Sequence, residues 1–451
     1  MGAIEVIPSA KRLIKSLRDI GYDFSQAVAD IVDNSIEATA SVVTIDVDFD
    51  GKGSRVRIAD NGNGMKPDQL REAMRYGSDR EYDAEDLGKF GLGLKTASMS
   101  QCRRLSVASR WNPERADISA YSWDLEHIER TNRWEILPLD RTGSASAIWQ
   151  PLKETTGTVV FWQGLDRILG YKHPDGESAR KGLLQICREI EQHLAMVFHR
   201  FLSGEARGHK FKILFNGNEV KPWDPFCLAE QKTKKLSPVS IPVEHEGVSG
   251  KVLVEPFVLP HQDDFSSPDA FRRAGLSNWN QQQGFYIYRS DRMIQSGGWS
   301  NLRAPDEHTK LARVSIRFSP KLDAAFSINV AKMRAQIPSV IRESVREAIG
   351  PVLKIAREVY DRKAAKLPIH APPKETPPPA VMAPYDPIPD VATIGVPGDP
   401  HSQGTVTGGS PPHIPMLSLE EWSQRLLTAA TDQERPVIEA VLERLHASSG
   451  N

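Results

Sequence analysis

"DIVDNSIEA", residues 30–38, decides how the rest of the chain is read. Just upstream, Asp23 followed by Gln26 has the spacing of a capping box, which starts a helix near Phe24. At 100° per residue, Asp30, Asp33, Asn34 and Glu37 share an arc of about 100°, while Val28, Val32 and Ile36 face the other way and Ile31 lies at the flank. The helix has an apolar back and one acidic stripe. A solvated face accounts for the carboxylates but not for Asn34, because asparagine is a poor residue inside a helix. An amide oxygen beside carboxylates suits Mg2+, which takes oxygen ligands and keeps several waters.

Strands follow this helix. "SVVTIDVDFD", residues 41–50, puts Val43, Ile45, Val47 and Phe49 on one face, "DGKG" turns the chain, and "SRVRIADNG" resumes the alternation with Val56 and Ile58. A hairpin with one apolar face against helices is an α+β layer. Residues 177–203 repeat apolar positions at helical spacing, from Leu183 to Phe201, and read as a connecting helix. A second domain is expected from about residue 208, opening with a hairpin that turns at Asn216-Gly217 and closing with an amphipathic helix over 339–366. Residues 367–415 are dense in Pro and Gly, and cannot bury enough surface to offset the entropy of ordering them. A short tail with helical periodicity follows over 417–445. The expected organisation is thus 1–175, 176–207, 208–366, 367–415 and 416–451.

The bulk numbers agree with a multidomain soluble chain. It has 451 residues, 39% apolar and 25% charged, with a formal net charge of -1, so no global attraction to nucleic acid is expected. No apolar run reaches membrane-spanning length, and the N-terminus lacks a signal-peptide core, which gives a cytoplasmic, non-membrane expectation. Cys102, Cys187 and Cys227 are far apart, odd in number and outside any metal-ligand spacing, as expected of free thiols.

Two further motifs carry chemistry. In "ADNGNGM", residues 59–65, Asp60 ends a strand where Gly62 and Gly64 let the backbone turn. A carboxylate fixed there can accept a hydrogen bond from an exocyclic amino group such as that of adenine. An ordinary Asp-Gly turn is the plain alternative. "LGKFGLGLKTAS", residues 87–98, spaces Gly88, Gly91 and Gly93 before a helix containing Lys95, Thr96 and Ser98. Glycine amides followed by a helix N-terminus suit phosphate oxygens. A Walker A loop is excluded because Leu94 separates Gly93 from Lys95 and Phe90 follows Gly88-Lys89. The order of the glycines also fails the G-x-G-x-x-G dinucleotide fingerprint.

Taken in order, the acidic-Asn helix, Asp-x-Gly-x-Gly and Gly-x-x-Gly-x-Gly resemble the GHKL ATPases, which include gyrase B, Hsp90, histidine kinases and MutL. "VDNSIEA", "DNGNGMKPDQL", "MRYGS" and "GKFGLGLKTASM" look most like MutL and MORC-type proteins, and Gly157-Thr158 in "TTGTVVFW" offers a further family element. "FNGNEVKPWDPF", "GFYIYRSDRMIQSGGW" and "FSINVAKMRAQIP" resemble the ribosomal-S5-like transducer domain of those families. The resemblance covers roughly residues 8–345 and implies a Bergerat-type α/β sandwich followed by that domain, with a C-terminal helical tail outside it.

The resemblance also implies site roles. Asn34 would ligate Mg2+, and Asp60 would bind the adenine amino group of ATP with Thr158 supporting it, often through water. Gly62 and Gly64 would shape that pocket and Met65 would line it. A lid over 66–90 would bring Gly88, Lys89, Gly91, Leu92, Gly93 and Leu94 to the phosphates, with Lys95 and Thr96 as further contacts. Lys332, in "NVAKM", is the candidate for the transducer lysine at the γ-phosphate. In these families a glutamate four residues before the asparagine is the general base; here Asp30 stands there, one methylene shorter, so hydrolysis is expected to be slow. Asp33 and Glu37 are the alternative carboxylates.

For partners, the resemblance implies an ATP-gated dimeric clamp acting in DNA repair, chromosome handling or defence against foreign DNA, with the N-terminal arm exchanged across the dimer. Residues 270–334 hold 11 Lys/Arg against 4 Asp/Glu, which fits sequence-independent DNA binding or a solvated surface. The tail could dock a protein partner. The alternatives are an Hsp90-like chaperone, whose longer middle and dimerisation domains do not fit, and a non-hydrolysing nucleotide sensor. A histidine kinase fits worst, since no histidine lies in a recognisable dimerisation helix upstream.

Overall fold

The structure, a computed structural model, describes residues 8–19, 21–76, 93–139, 146–206, 210–276, 278–328 and 335–364. All lie in the first of two compact units, Met1–Ala371 and Pro372–Asn451. The expected linker and tail therefore fall outside the described residues.

The first layer is an eight-stranded sheet of β1 (Val42–Asp48), β2 (Arg55–Asp60), β3 (Arg104–Arg110), β4 (Ser119–Asp124), β5 (Leu137–Pro138), β6 (Gly157–Gln163), β7 (Lys212–Phe215) and β8 (Asn218–Glu219). Their order across the sheet is β5-β4-β3-β6-β2-β1-β7-β8. The helices of this layer are α1 (Ala10–Arg18), α2 (Phe24–Glu37), α3 (Pro67–Met74), α4 (Gly93–Gln101), α5 (Leu125–Thr131), α6 (Ser146–Trp149), α7 (Glu177–Val197) and α8 (His199–Leu202).

The two-residue period decides which side chain goes where. Ile58, Val107, Val160 and Trp162 enter the main core with α2 and α4, while Ala59, Ala108, Val159 and Phe161 form a smaller core beneath Ile148 and Trp149. The expected hairpin is present, with Ile45 opposite Ile58. The hairpin at Asn216-Gly217, expected to open the second domain, instead extends this first sheet: β7 runs parallel to β1, with Val43 opposite Ile213. Residues 10–18 of the expected exchangeable arm are docked on their own chain. The Arg18 guanidinium donates to the Met99 carbonyl at 2.7 Å and to Asp166 at 2.6 Å.

The second layer is a sheet of β9 (Lys234–Lys235), β10 (Val239–His245), β11 (Val248–Val258), β12 (Gly284–Arg289), β13 (Arg292–Ser296) and β14 (Ala312–Phe318), ordered β10-β11-β14-β12-β13 with β9 beside β11. Its helices are α9 (Pro268–Gly275), α10 (Trp279–Gln282) and α11 (Arg342–Ala364). Helix α11 tolerates Pro351 in its interior, which costs about 3 kcal/mol. Val345, Ile349 and Val352 on its buried face contribute about 1.5–3 kcal/mol each and outweigh that cost. The opposite face of this sheet, with Phe257, Tyr286, Tyr288 and Met293, packs on Met196 of α7.

Candidate functional site

Helix α2 starts at Phe24, where Asp23 caps it by accepting from the Ser25 and Gln26 amides at 2.7 and 3.4 Å. The reciprocal half of the expected capping box is replaced by another bond: the Gln26 side chain donates to Asp30 Oδ1 at 3.2 Å. Every residue of α2 is buried except Asn34 and Glu37. The acidic stripe is thus mostly interior, and Asp30 and Asp33 are 4% and 1% exposed. Buried carboxylates need partners. Theirs is Arg292, 1% exposed, at the start of β13. Its Nε donates to Asp33 Oδ1 at 2.9 Å and its Nη2 lies 3.5 Å from Asp30 Oδ1.

The turn that presents Arg292 is strained. Ser290 and Asp291 join β12 to β13 with φ of 46° and 66°, the left-handed conformation of a tight hairpin turn that glycine, asparagine and aspartate favour. At Ser290 it costs about 1 kcal/mol or more. Asp291 accepts from Arg200 of α8 at 3.1 Å, so the two residues beside each other at this tip, Asp291 and Arg292, bind opposite charges on the first layer.

At the end of β2, Asp60 is partly buried and held by three donors. The Gly62 amide reaches Oδ1 at 2.9 Å, the Thr158 amide reaches it at 3.1 Å, and the Ser35 hydroxyl reaches Oδ2 at 3.2 Å. Burial pushes its pKa up, and the Gly62, Thr158 and Ser35 bonds oppose that. Oδ2 keeps a lone pair for a further donor. The sequence pairs Asp60 with Thr158 by resemblance. In the structure the contact comes directly from the Thr158 amide, while the Thr158 hydroxyl lies 3.0 Å from Ser109 Oγ. Ser109 also donates to the Gly157 carbonyl at 2.9 Å and accepts from the Met65 amide at 2.8 Å. Sequence reasoning missed Ser109, because "RLSVASR" reads only as a strand. Gly157 has φ of 140°, and a Cβ on it would sit 1.9 Å from the Asp60 carbonyl oxygen; Gly64, with φ of 65°, comes equally close to the Arg110 carbonyl, at 2.0 Å.

On α4, the Lys95 ammonium donates to the Ala73 carbonyl at 3.0 Å, and burial lowers its pKa to about 8 against a raising effect from Glu72. Thr96 Oγ1 is buried with no hydrogen-bond partner among the described residues. Gly93 opens α4 and Leu94 packs partly buried against the main core. Gly88, Lys89, Gly91, Leu92 and Lys332 lie outside the described residues. The Asn34 side chain makes no hydrogen bond among the described residues, and it stands one turn beyond Asp30 on the open side of the helix. A single free amide oxygen fits a Mg2+ ion that takes its other oxygens from phosphates and water. Among the described residues no group of three His, Cys, Asp or Glu could hold a metal by itself.

A separate cavity of about 500 Å3 lies between the start of α2, α7 and β13, lined by Gln26, His193, Met196 and Gln295 among others. It does not include Asp60. All three cysteines are free. No helix among the described residues is long and apolar enough to cross a membrane.

The grouping of Asn34, Asp60 and Thr158 on α2, β2 and β6 falls within one sequence match. Residues 22–158 match the family model described as histidine kinase-, DNA gyrase B-, and HSP90-like ATPase. The chain carries a GHKL-type ATPase domain. This GHKL-type domain is similar to those of MutL and MORC proteins. The DNA mismatch repair protein MutL of Haemophilus influenzae is 24% identical over 220 residues, which is 48% of this chain and 30% of that protein. MutL of Neisseria meningitidis is 38% identical over 94 residues, 19% of this chain and 14% of its own length. Protein MICRORCHIDIA 5 of Arabidopsis thaliana is 36% identical over 80 residues, 16% of this chain and 11% of its own. The chain thus spans less than a third of the length of these curated relatives. The match of residues 22–158 to this ATPase family model supports ATP binding by that region.

Proposed function

We propose that the chain is a slow Mg2+-dependent ATPase whose ATP-bound form closes as a dimeric clamp on DNA, in repair, chromosome handling or defence. The observation that carries the ATP reading is Asp60, oriented by the Gly62 and Thr158 amides and the Ser35 hydroxyl with an acceptor direction left over. Asp60 takes the adenine amino group, Met65 lines the base, and the Gly93 end of α4 with Lys95 and Thr96 meets the phosphates. The lid is residues 66–90, with Gly88, Gly91 and Gly93 meeting the phosphates. Bound Mg2+, held by Asn34, supplies charge neutralisation on the phosphates.

Asp30 accepts the proton of the attacking water. It is one methylene shorter than the glutamate of the resembling families, which favours slow turnover. That same shortness favours, as a second reading, a nucleotide sensor that binds without hydrolysing. The second layer serves as the S5-like transducer and Lys332 as its γ-phosphate lysine. The clamp reading draws on the names of the MutL relatives and on the basic balance of residues 270–334.

Equilibrium binding of ATP with Mg2+ to the full chain tests the ATP reading. Asp60→Ala is expected to weaken it by about 10- to 100-fold, the worth of one hydrogen bond to a charged group. Equal retention by both proteins refutes the assignment. Tighter, salt-dependent DNA binding in the presence of a non-hydrolysable ATP analogue tests the clamp.

A further inference from the structure

We propose that Arg292 is a positioning residue for Asp30, and that the Ser290–Asp291 turn is the joint through which the second sheet sets the geometry of ATP hydrolysis. The inference rests on the reading of Asp30 as general base.

Three observations carry it. First, Arg292 reaches across the two layers to both carboxylates of α2, and all three side chains are almost fully buried. Second, its neighbour Asp291 makes the complementary contact to Arg200, so the hairpin tip is held at two points of opposite charge. A lateral slide of the tip breaks both contacts at once. Third, the turn keeps Ser290 in a left-handed conformation that serine does not prefer, and such strain persists only where the surroundings over-determine it.

Asp30 and Asp33 are one helical turn apart on one buried face. With no cation beside them the two carboxylates repel, and one swings away. Arg292 reaches both and fixes Asp33 most closely. Together with Gln26, it leaves Asp30 in one orientation. A general base must sit within hydrogen-bond reach of its water, and a short aspartate has less slack than a glutamate. Docking of the second sheet therefore completes the hydrolytic geometry while leaving the adenine contacts of Asp60 untouched.

The test compares the full chain with Arg292→Lys and with Arg292→Ala/Asp33→Asn, in which one buried carboxylate is neutralised together with its cation. ATP affinity and turnover are measured separately. The double variant is expected to bind ATP within about threefold of the unmodified chain and to turn it over about 100-fold more slowly, as for a misplaced catalytic group. Arg292→Lys is expected to lose about tenfold in turnover at unchanged affinity, since an ammonium keeps the charge but not the fork. Should the double variant fail to fold, Arg292→Lys decides alone, and unchanged turnover overturns the proposal. Turnover that falls only in step with affinity overturns it too, as does an unmodified chain that binds ATP without hydrolysing it. Failure of the unmodified chain to bind ATP is a different result, and it refutes the ATP reading itself.

Discussion

Arg292 Nε lies 2.9 Å from Asp33 Oδ1 and so ties β13 to α2 across 259 positions of sequence. Both groups are buried, so the energetics are those of an interior pair: removing one partner leaves a charge without compensation. Arg292→Met is expected to destabilise the chain by about 3–5 kcal/mol. Arg292→Met/Asp33→Asn should recover part of that loss, by a coupling of about 1 kcal/mol or more. Urea midpoints of the two single variants and the double variant check this. Strict additivity would mean that the pair is not an energetic unit.

Gly157 bears directly on the surroundings of Asp60. Its φ of 140° and the 1.9 Å approach of a built Cβ to the Asp60 carbonyl leave no room for a side chain. Gly157→Ala should therefore lower stability by more than about 1 kcal/mol. By shifting the Thr158 amide off Asp60, it should also weaken ATP binding about tenfold or more. A thermal scan and a binding isotherm on the same variant check both. Wild-type affinity would show that the Thr158 contact is dispensable.

Much of this pocket was legible in sequence because its parts are local. Asp23 marks the start of α2, the two-residue period marks β1 and β2, and Asp60 stands at the end of β2 beside its glycines. What was not legible is non-local. Nothing in "RLSVASR" distinguishes Ser109 from any strand serine until β3 lies beside β6. Arg292 reads as one more cation in a basic stretch until the hairpin brings it to α2. The parallel pairing of β7 with β1 depends on a crossover of more than 160 residues, which no local pattern encodes. The acidic stripe of α2 has the pattern of a solvated face, and only the buried guanidinium reveals that Asp30 and Asp33 are interior.

Lys95 sets an alkaline limit. Burial lowers its pKa to about 8, so the empty protein loses this charge as pH rises from 7 to 9. A triphosphate favours the charged form, and binding above that pH must take up a proton. ATP affinity should then fall by up to about tenfold per pH unit above 8. Lys95→Met should bind more weakly at pH 7 and show no such slope. Isotherms at pH 7, 8 and 9 check this, and an unchanged slope in the variant would remove Lys95 from the phosphate site.

His193 and His199 set an acid limit on stability. Burial is the main cause that lowers their pKa values to about 4 and about 3, with Arg292 and Arg200 respectively adding to it. Both stay neutral in the fold while the unfolded chain protonates them near 6.5. The unfolded state thus binds more protons below pH 6.5, and stability falls as pH drops from there towards 4. Each histidine contributes a slope of about 1.4 kcal/mol per pH unit. His199→Gln should flatten that dependence in urea melts at pH 7, 6 and 5. An unaltered slope would place the acid sensitivity elsewhere.

The most direct measurement is the choice between ATP and inosine triphosphate, which differ at the purine where the adenine amino group is replaced by oxygen. Asp60 offers only an acceptor to that position, so the unmodified chain with Mg2+ should prefer ATP by about 10- to 100-fold. In Asp60→Asn, whose amide can donate as well as accept, the preference should vanish or reverse. Equal affinity of the unmodified chain for the two nucleotides would contradict the account.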